Sequence, residues 1–574
     1  MVDPIPFLLA AATFYWRHNC LQLTTPVDKL LPSYDYVIIG GGSGGSVMAG
    51  RLSEHLDRTV LLIEAGGADN EYADIPFLFE ELLSTPFVAK WNSTPQQRAC
   101  RARPGASCEL SAGNSLGGGS SHNQMIYNRG SRITYDEWAA AGATGWSYNE
   151  ILQYFLKAEQ LLNYGQSADH SYHGKNGPLF VELDKPTPLV QAFMNAAVEM
   201  GEKVGDHNGQ FPNRFSAIQR TAKNGRRWST QRAYLDPALS RPNLHVVCFA
   251  KANRILFDHK VATGVQFQYF NRTITVRANR EVILSAGAIR TPQVLMLSGI
   301  GDARDLTRLG IPIVANLPGV GRNFHNIDGI TVQFLSDIPT KHLYQDATAD
   351  DFFEYKEGFG KKLEAVGVSA IGNQAPPTGS PFDTRIVYFM DPFYYGDMSA
   401  GLDPHPPDHD FYINICNLKT RSRGRITISS SDPNRPPVID PQMFTDPTDR
   451  ATIIAGTKWL LGFNNTRAFR SINARVMRLK APPCGSFPDW SDKQLDCWIE
   501  YYGISLNNYA GTAKIGQRTD SLAVVDPRLR VMGGVQRLRV ADASVMPQVS
   551  RGNTNAVVIM IAEKAADMVK QDNL

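Results

Sequence analysis

The sequence predicts an α/β protein in which a dinucleotide-binding, Rossmann-like domain is assembled from separated stretches of chain and a second, strand-rich domain is inserted among them. Three observations predict it. A glycine fingerprint follows a short apolar run that begins at Tyr36. The strand–turn–helix format of that region recurs in the middle and again near the end of the chain. Between these pieces lie stretches richer in Pro, aromatic residues and alternating strand-like runs. At 574 residues the chain is also too long for one ordinary core.

In chain order, residues 1–33 form an N-terminal segment whose apolar run, Ile5 to Trp16, is shorter than the roughly 18 residues a membrane span requires. Its first charge is Asp3 instead of a basic residue, so a secretory signal and a buried or interfacial segment both stay open. Next comes "YDYVIIGGGSGGSVMAGRLSE": an apolar run Tyr36–Ile39, then glycines, then a helix-compatible stretch from Ser46 to Leu56. Gly40, Gly42 and Gly45 fit GxGxxG, in which the first permits the turn, the second lets backbone approach a pyrophosphate and the third lets helix and strand pack closely. The positive end of the helix then faces the phosphates. A second apolar run, "TVLLIEAGG", ends in Glu64, whose carboxylate can accept from ribose hydroxyls.

The stretch "EVILSAGAIRTPQVLMLSGIG" repeats the format, with a strand Val282–Leu284, a small-residue turn at Ser285-Ala286-Gly287, and a helix begun by Thr291-Pro292, where proline suits the first turn. "LRVADASVMP" followed by "GNTNAVVIMIAEKAADMVK" supplies a last strand and a closing amphipathic helix. "RGRITISS" and "DFYINICNL" read as strands of the inserted sheet. The expected division assigns 34–164, 241–330 and 501–574 to the nucleotide domain and 165–240 and 331–500 to the inserted, substrate-binding one. Aromatic residues of "DPFYYGDM" can line a pocket there or simply form core.

With 58 basic against 55 acidic residues, the charge is too balanced for a protein that neutralises many phosphates, which argues against nucleic acid as a partner. Of the seven cysteines, Cys100/Cys108 and Cys484/Cys497 bracket short loops suited to disulfides in an oxidising compartment; the alternative is seven reduced, buried thiols. No CxxC or Cys/His cluster has zinc spacing, so no metal site is expected. Acceptor sequons at Asn92, Asn271 and Asn464 favour a secreted, extracellular glycoprotein.

These motifs, together with "GNSLGGGSSHNQMIYNRGS", "YDEWAAAGATGWSY", "YHGKNGPLFV" and "LPGVGRN", resemble the glucose-methanol-choline (GMC) oxidoreductases over Tyr34 to Val569, and the N-terminus and cysteine pattern are similar to arthropod glucose-dehydrogenase-like members. The resemblance implies FAD in the Rossmann-like domain, a substrate domain built on an antiparallel sheet flanked by helices, and oxidation of a small-molecule alcohol by hydride transfer to the flavin, with oxygen or another acceptor taking the electrons. Carried over motif by motif, it places Ser43, Gly44, Glu64 and Ala65 at the adenosine and pyrophosphate half. The loop Gly118 to Ile126 runs along the flavin, with Asn123 and Met125 near the ring. Asp542 and Ala543 match ribityl and phosphate contacts, and Ala252 a backbone contact to adenine.

Two departures stand out. His122 in "GGGSSHNQM" sits where many relatives carry an apolar residue and where choline-oxidase-like members link a histidine covalently to the flavin; a covalent link and a non-covalent loop histidine both stay open. Second, relatives usually read His-Pro-x-Gly-Thr at the flavin, and aligning on Gly511-Thr512 puts Asn508 over that histidine. No shift rescues it, since the last of the twelve histidines is His409. The partner position reads Asn555, giving an Asn/Asn catalytic pair. Asparagine offers a carbonyl acceptor and N–H donors but does not carry a proton off. Three resolutions follow: an activated, acidic substrate hydroxyl (aromatic, benzylic or cyanohydrin-type, such as mandelonitrile), a phenol base among Tyr501, Tyr502 and Tyr509, or loss of alcohol oxidation on a retained FAD scaffold, lyase-like chemistry included.

Overall fold

The computed structural model describes residues 5–163, 169–339, 348–358, 362–364, 367–374, 385–390 (backbone only) and 409–573. The elements that position the site are, in chain order, helix α1 (Ile5–Leu23), strand β1 (Ser33–Ile39), helix α2 (Ser43–Leu52), strand β2 (Val60–Ile63) and the hairpin β3 (Val88–Asn92) with β4 (Glu109–Gly113). Then come β5 (Leu244–Val247), β6 (Ala250–Asp258), β7 (Val261–Tyr269), β8 (Arg272–Leu284), helix α3 (Gly287–Leu297), β9 (Asp328–Leu335), β10 (Asp410–Asn417), β11 (Leu538–Val540) and helix α4 (Thr554–Asp572).

The first seven-stranded sheet runs β5-β2-β1-β8-β7-β6, with β11 also on β8. Its parallel half joins β5, β2, β1, β8 and β11, with Tyr36 opposite Val60 and Ile39 opposite Ile63. Strands buried on both faces need continuous apolar runs, and Val37–Ile39 and Val60–Ile63 are such runs. Gly40 turns the chain at φ 93°, with Ser285 backbone so close that a Cβ would meet its oxygen at 2.5 Å. At Gly45 a Cβ would lie 1.8 Å from the Gly40 carbonyl oxygen, which is how α2 comes to rest directly on the turn.

The structure moves two helix starts. α2 begins at Ser43 and ends at Leu52 in place of the expected Ser46–Leu56, because close packing of Gly44 and Gly45 overrides glycine's poor helix propensity. α3 begins at Gly287, four residues before Thr291, because Asp542 caps it from another part of the chain: its Oδ2 accepts from Gly287 N at 2.9 Å and Thr291 Oγ1 at 2.6 Å. Pro292 therefore lies inside the helix, where it has no N–H for the Ala288 carbonyl. Thr512 Oγ1 donates to that carbonyl instead, at 2.6 Å.

The second seven-stranded sheet is antiparallel throughout, in the order Arg475–Val476, β9, β10, Arg385–Met390, Val368–Gln374, Phe215–Ala217, with Ile504–Ser505 also on β9. Helices Pro188–Glu199, Pro447–Leu461 and Asp492–Tyr502 pack on it around a core containing Phe193, Ile330, Ile413 and Leu495. "DFYINICNL" supplies β10, whereas "RGRITISS" contributes Arg425–Thr427 to a separate two-stranded piece with Val438–Asp440. Ile218, Tyr234 and Leu235 belong to one buried cluster with Val37 and Leu62 of the first sheet and Ile371 and Cys416 of the second.

Three disulfides are present. Cys100–Cys108 and Cys484–Cys497 close the two short loops, and Cys20–Cys248 ties α1 to the end of β5; Cys416 is a buried free thiol. Asn92 and Asn271 are exposed, whereas the Asn464 side-chain oxygen is buried. No described helix is long and apolar enough to cross a membrane, and no described cluster of His, Cys, Asp and Glu has the makings of a metal site.

Candidate active site

The residues that follow the carboxyl ends of β1, β2, β8 and β11 open onto one cavity of about 750 Å³. This is where an open α/β sheet takes its ligand. The N-terminal turns of α2, α3 and α4 all contribute to its wall, through Ser43, Gly287 and Asn555, so three positive helix ends converge on it. That donor set and the close-packed glycines fit an extended dinucleotide with its diphosphate at the helix ends.

Of the sequence-predicted residues, all line this cavity except Gly45, which is taken up in helix–turn packing, and Met125, whose side chain is fully buried away from it. Met125 is displaced by its backbone, which lies at φ 57° between Gln124 and Ile126, both of which do reach the cavity. The aromatics of "DPFYYGDM" lie outside the described residues. Glu64 receives Gly41 N and Gly66 N, each at 2.7 Å, and burial pushes its carboxyl above the usual range. Asp542 spans two elements, accepting from Ser544 N at 2.8 Å with one oxygen and from α3 with the other. Asn123 is fixed by Met125 N at 2.9 Å and by the Arg227 guanidinium at 3.1 Å, which holds the loop Gly118 to Ile126 in shape.

His122 is buried with neither ring nitrogen hydrogen-bonded among the described residues. Burial first, then the Arg227 charge, pulls its pKa down to about 4, so the imidazole is neutral at physiological pH. An open, neutral imidazole satisfies either a covalent or a contact role toward a bound flavin. His325, buried beside Ala510, has both nitrogens engaged, Nδ1 with Asn323 O at 2.6 Å and Nε2 with Val549 N at 3.0 Å. It does not reach the cavity wall; among the described residues His122 is the histidine that does.

Asn508 is placed by a chain segment that runs beside β9: Ile504 and Ser505 pair with Gly329 and Asp328, Leu506 N donates to Ile327 O at 3.0 Å, and Asn508 N donates to Asn326 Oδ1 at 2.6 Å. Its side chain is oriented by groups that each have only one role. Thr554 N can only donate, and it donates to Asn508 Oδ1 at 2.9 Å; Leu506 O can only accept, and it accepts from Nδ2 at 2.9 Å. Thr554 Oγ1 adds a second contact to Oδ1 at 3.1 Å. The acceptor end is therefore turned into the protein, and a second Nδ2 hydrogen is left for the cavity.

Asn555 does not pair with Asn508. Its Oδ1 accepts from Ser43 Oγ at 2.7 Å at the start of α2, because adjacent residues in a helical turn point to different faces and Thr554 takes the one toward Asn508. Asn553, the residue preceding α4, lines the cavity beside it. Among the candidate phenols, Tyr509 lines the cavity, but burial holds its pKa well above the usual range and its hydroxyl donates to Asn507, so it is a poor base. Tyr502 donates to Pro482 O at 2.6 Å and the Tyr501 ring lies under Arg101; neither is at the cavity wall.

The residues missed by sequence reading are Thr554, Trp91 and Arg290, all cavity or site neighbours. None carried a sequence signal: Arg290 falls in the first turn of α3, where a cation opposes the helix dipole, only because the helix starts at Gly287 and not at Thr291.

Two family models, both described as GMC oxidoreductase, match residues 34–327 and 420–562. Glucose dehydrogenase [FAD, quinone] of Drosophila melanogaster is 36% identical over 548 residues, covering 94% of this chain and 87% of that protein. The oxygen-dependent choline dehydrogenase of Paraburkholderia phytofirmans is 34% identical over 550 residues, covering 93% and 94%. Among solved structures, an FAD-dependent oxidoreductase from Chaetomium thermophilum is similar with a TM-score of 0.80 at 27% identity, covering 94% of this chain and 99% of that one.

Proposed function

The chain belongs to the GMC oxidoreductases, FAD-dependent enzymes acting on CH–OH donors, and from that premise we propose that its substrate is an activated alcohol, aromatic, benzylic or cyanohydrin-type, whose hydroxyl ionises without an imidazole base. The observation that supports this is the orientation of Asn508: its oxygen is held by Thr554 and its free amide hydrogen faces the cavity. That group donates to a substrate oxygen and so favours an alkoxide over an alcohol. It does not remove the proton, which leaves with water. FAD, when bound, supplies the hydride acceptor. Ile289 and Tyr509 on the cavity wall give an apolar surface suited to an aryl group. In this reading Asn555 acts on the cofactor side, fixing Ser43 at the pyrophosphate turn, and oxygen or another acceptor takes the electrons. Export to an extracellular compartment accords with three disulfides and with exposed sequons at Asn92 and Asn271.

The test is anaerobic bleaching of the bound flavin by alcohols graded in acidity. Fast bleaching by mandelonitrile or electron-poor benzyl alcohols, and slow bleaching by glucose or choline, is expected. Equal rates across the series would overturn the reading, and aldehyde release without bleaching would point to cyanohydrin cleavage instead.

A further inference from the structure

The Arg290 guanidinium makes no hydrogen bond or ion pair among the described residues, although it lines the cavity from the first turn of α3, partly buried and lying 5.2 Å over the Trp91 ring. A charged group withdrawn from water without a counter-charge is costly, and the helix dipole at that position adds to the cost. Glu64 is the acid whose field reaches it, but the two make no hydrogen bond or ion pair, and the Glu64 oxygens are oriented by Gly41 N and Gly66 N. Lys251 lines the same end of the cavity, its Nζ donating only to Pro433 O at 2.6 Å and, distantly, to Asn434 Oδ1 at 3.4 Å. Burial depresses both cations, and the Arg290 charge further disfavours that of Lys251, which the field of Asp432 only partly offsets. This end of the cavity thus holds positive charge in want of an anion, beside the carboxylate expected to take the adenosine ribose.

We infer that Arg290 is a cofactor-binding residue of this chain, its guanidinium neutralising the diphosphate of FAD while Trp91 holds the guanidinium plane in place. The inference rests on the cavity's being the FAD site. Arg suits it better than Lys, since its planar fork both stacks on an indole and meets two phosphate oxygens at once.

The test uses full-length apoprotein from riboflavin-starved cells, with ADP and adenosine as probes, since neither can become attached through His122. By calorimetry the wild type should bind ADP more tightly than adenosine. Arg290→Gln should weaken ADP about tenfold or more and leave adenosine within about twofold, as expected for loss of a charged hydrogen bond. Arg290→Lys, which keeps charge without the fork, should recover part of the loss, and circular dichroism checks that each variant is folded. Added salt should weaken ADP binding by the wild type and hardly affect that of Arg290→Gln. Unchanged ADP affinity in folded Arg290→Gln, or an equal loss for ADP and adenosine, would overturn the inference. Failure of the wild type to bind either FAD or ADP would overturn the FAD reading of the cavity, and this inference with it.

Discussion

Asn508 differs from an imidazole in one respect that matters chemically: it has nowhere to put a proton. Its oxygen is bonded to Thr554 and its nitrogen to Leu506, so the side chain is a fixed donor. Replacing it by histidine restores a proton acceptor in the same place, beside a Thr554 N–H that a ring nitrogen can also receive. A positioned base contributes about 10²–10⁴ in rate to alcohols that hold their proton tightly, and much less to those that release it to water. Stopped-flow bleaching of Asn508→His should therefore show a large gain on unactivated alcohols such as glucose and choline, with little change on mandelonitrile. A uniform gain across the series would mean that the native substrate also lacks a base it needs.

At the scale of elements, Asn508 is as well placed as the segment 504–511 is held against β9, and the holding group is Asn326. Its Oδ1 accepts from Asn508 N, while its Nδ2 donates to Asp328 Oδ1 and to Ser505 Oγ, each at 2.7 Å. Burial and the nearby Asp449 charge push Asp328 up to about 7, against an unfolded value near 4. Because the folded pKa is raised, the stabilisation is fully present below about pH 4 and is lost as pH rises through 7. Asp328→Asn keeps the oxygen that Asn326 needs but cannot ionise. The unfolding free energy of the wild type, from urea titration, should fall between pH 4 and pH 8 more steeply than that of the variant, the difference reaching on the order of 4 kcal/mol. Parallel profiles would show that Asp328 does not titrate there.

For the whole molecule, what the sequence made legible was what local rules encode. The β1–turn–α2–β2 unit was readable because GxGxxG and its flanking apolar runs carry the geometry within about thirty residues. The absence of a histidine base was readable because it is a matter of composition after His409. Helix starts at Ser43 and Gly287 were not, since a distant cap and backbone contact set them, and neither was the Asn508–Thr554 pairing, which depends on which face of α4 meets residue 508. The clearest case of long-range determination is Cys20–Cys248, at a separation of 228 residues. It fastens α1 where Trp16 donates to Asn114 O at 3.2 Å and accepts from Ala68 N at 2.9 Å, and Asn114 is part of the cavity wall. Cross-linking a loop of that length removes on the order of 5 kcal/mol of unfolded-state entropy in the chain model. Both sulfurs belong to buried residues, so mild reductant should leave the folded protein's melting temperature unchanged. The double variant Cys20→Ser/Cys248→Ser should melt lower, lose protease resistance within residues 5–23 first, and release FAD during that local opening, before the second sheet unfolds. A rise in flavin fluorescence coincident with loss of far-ultraviolet circular dichroism would instead show that α1 is not a separately opening clamp on the nucleotide domain.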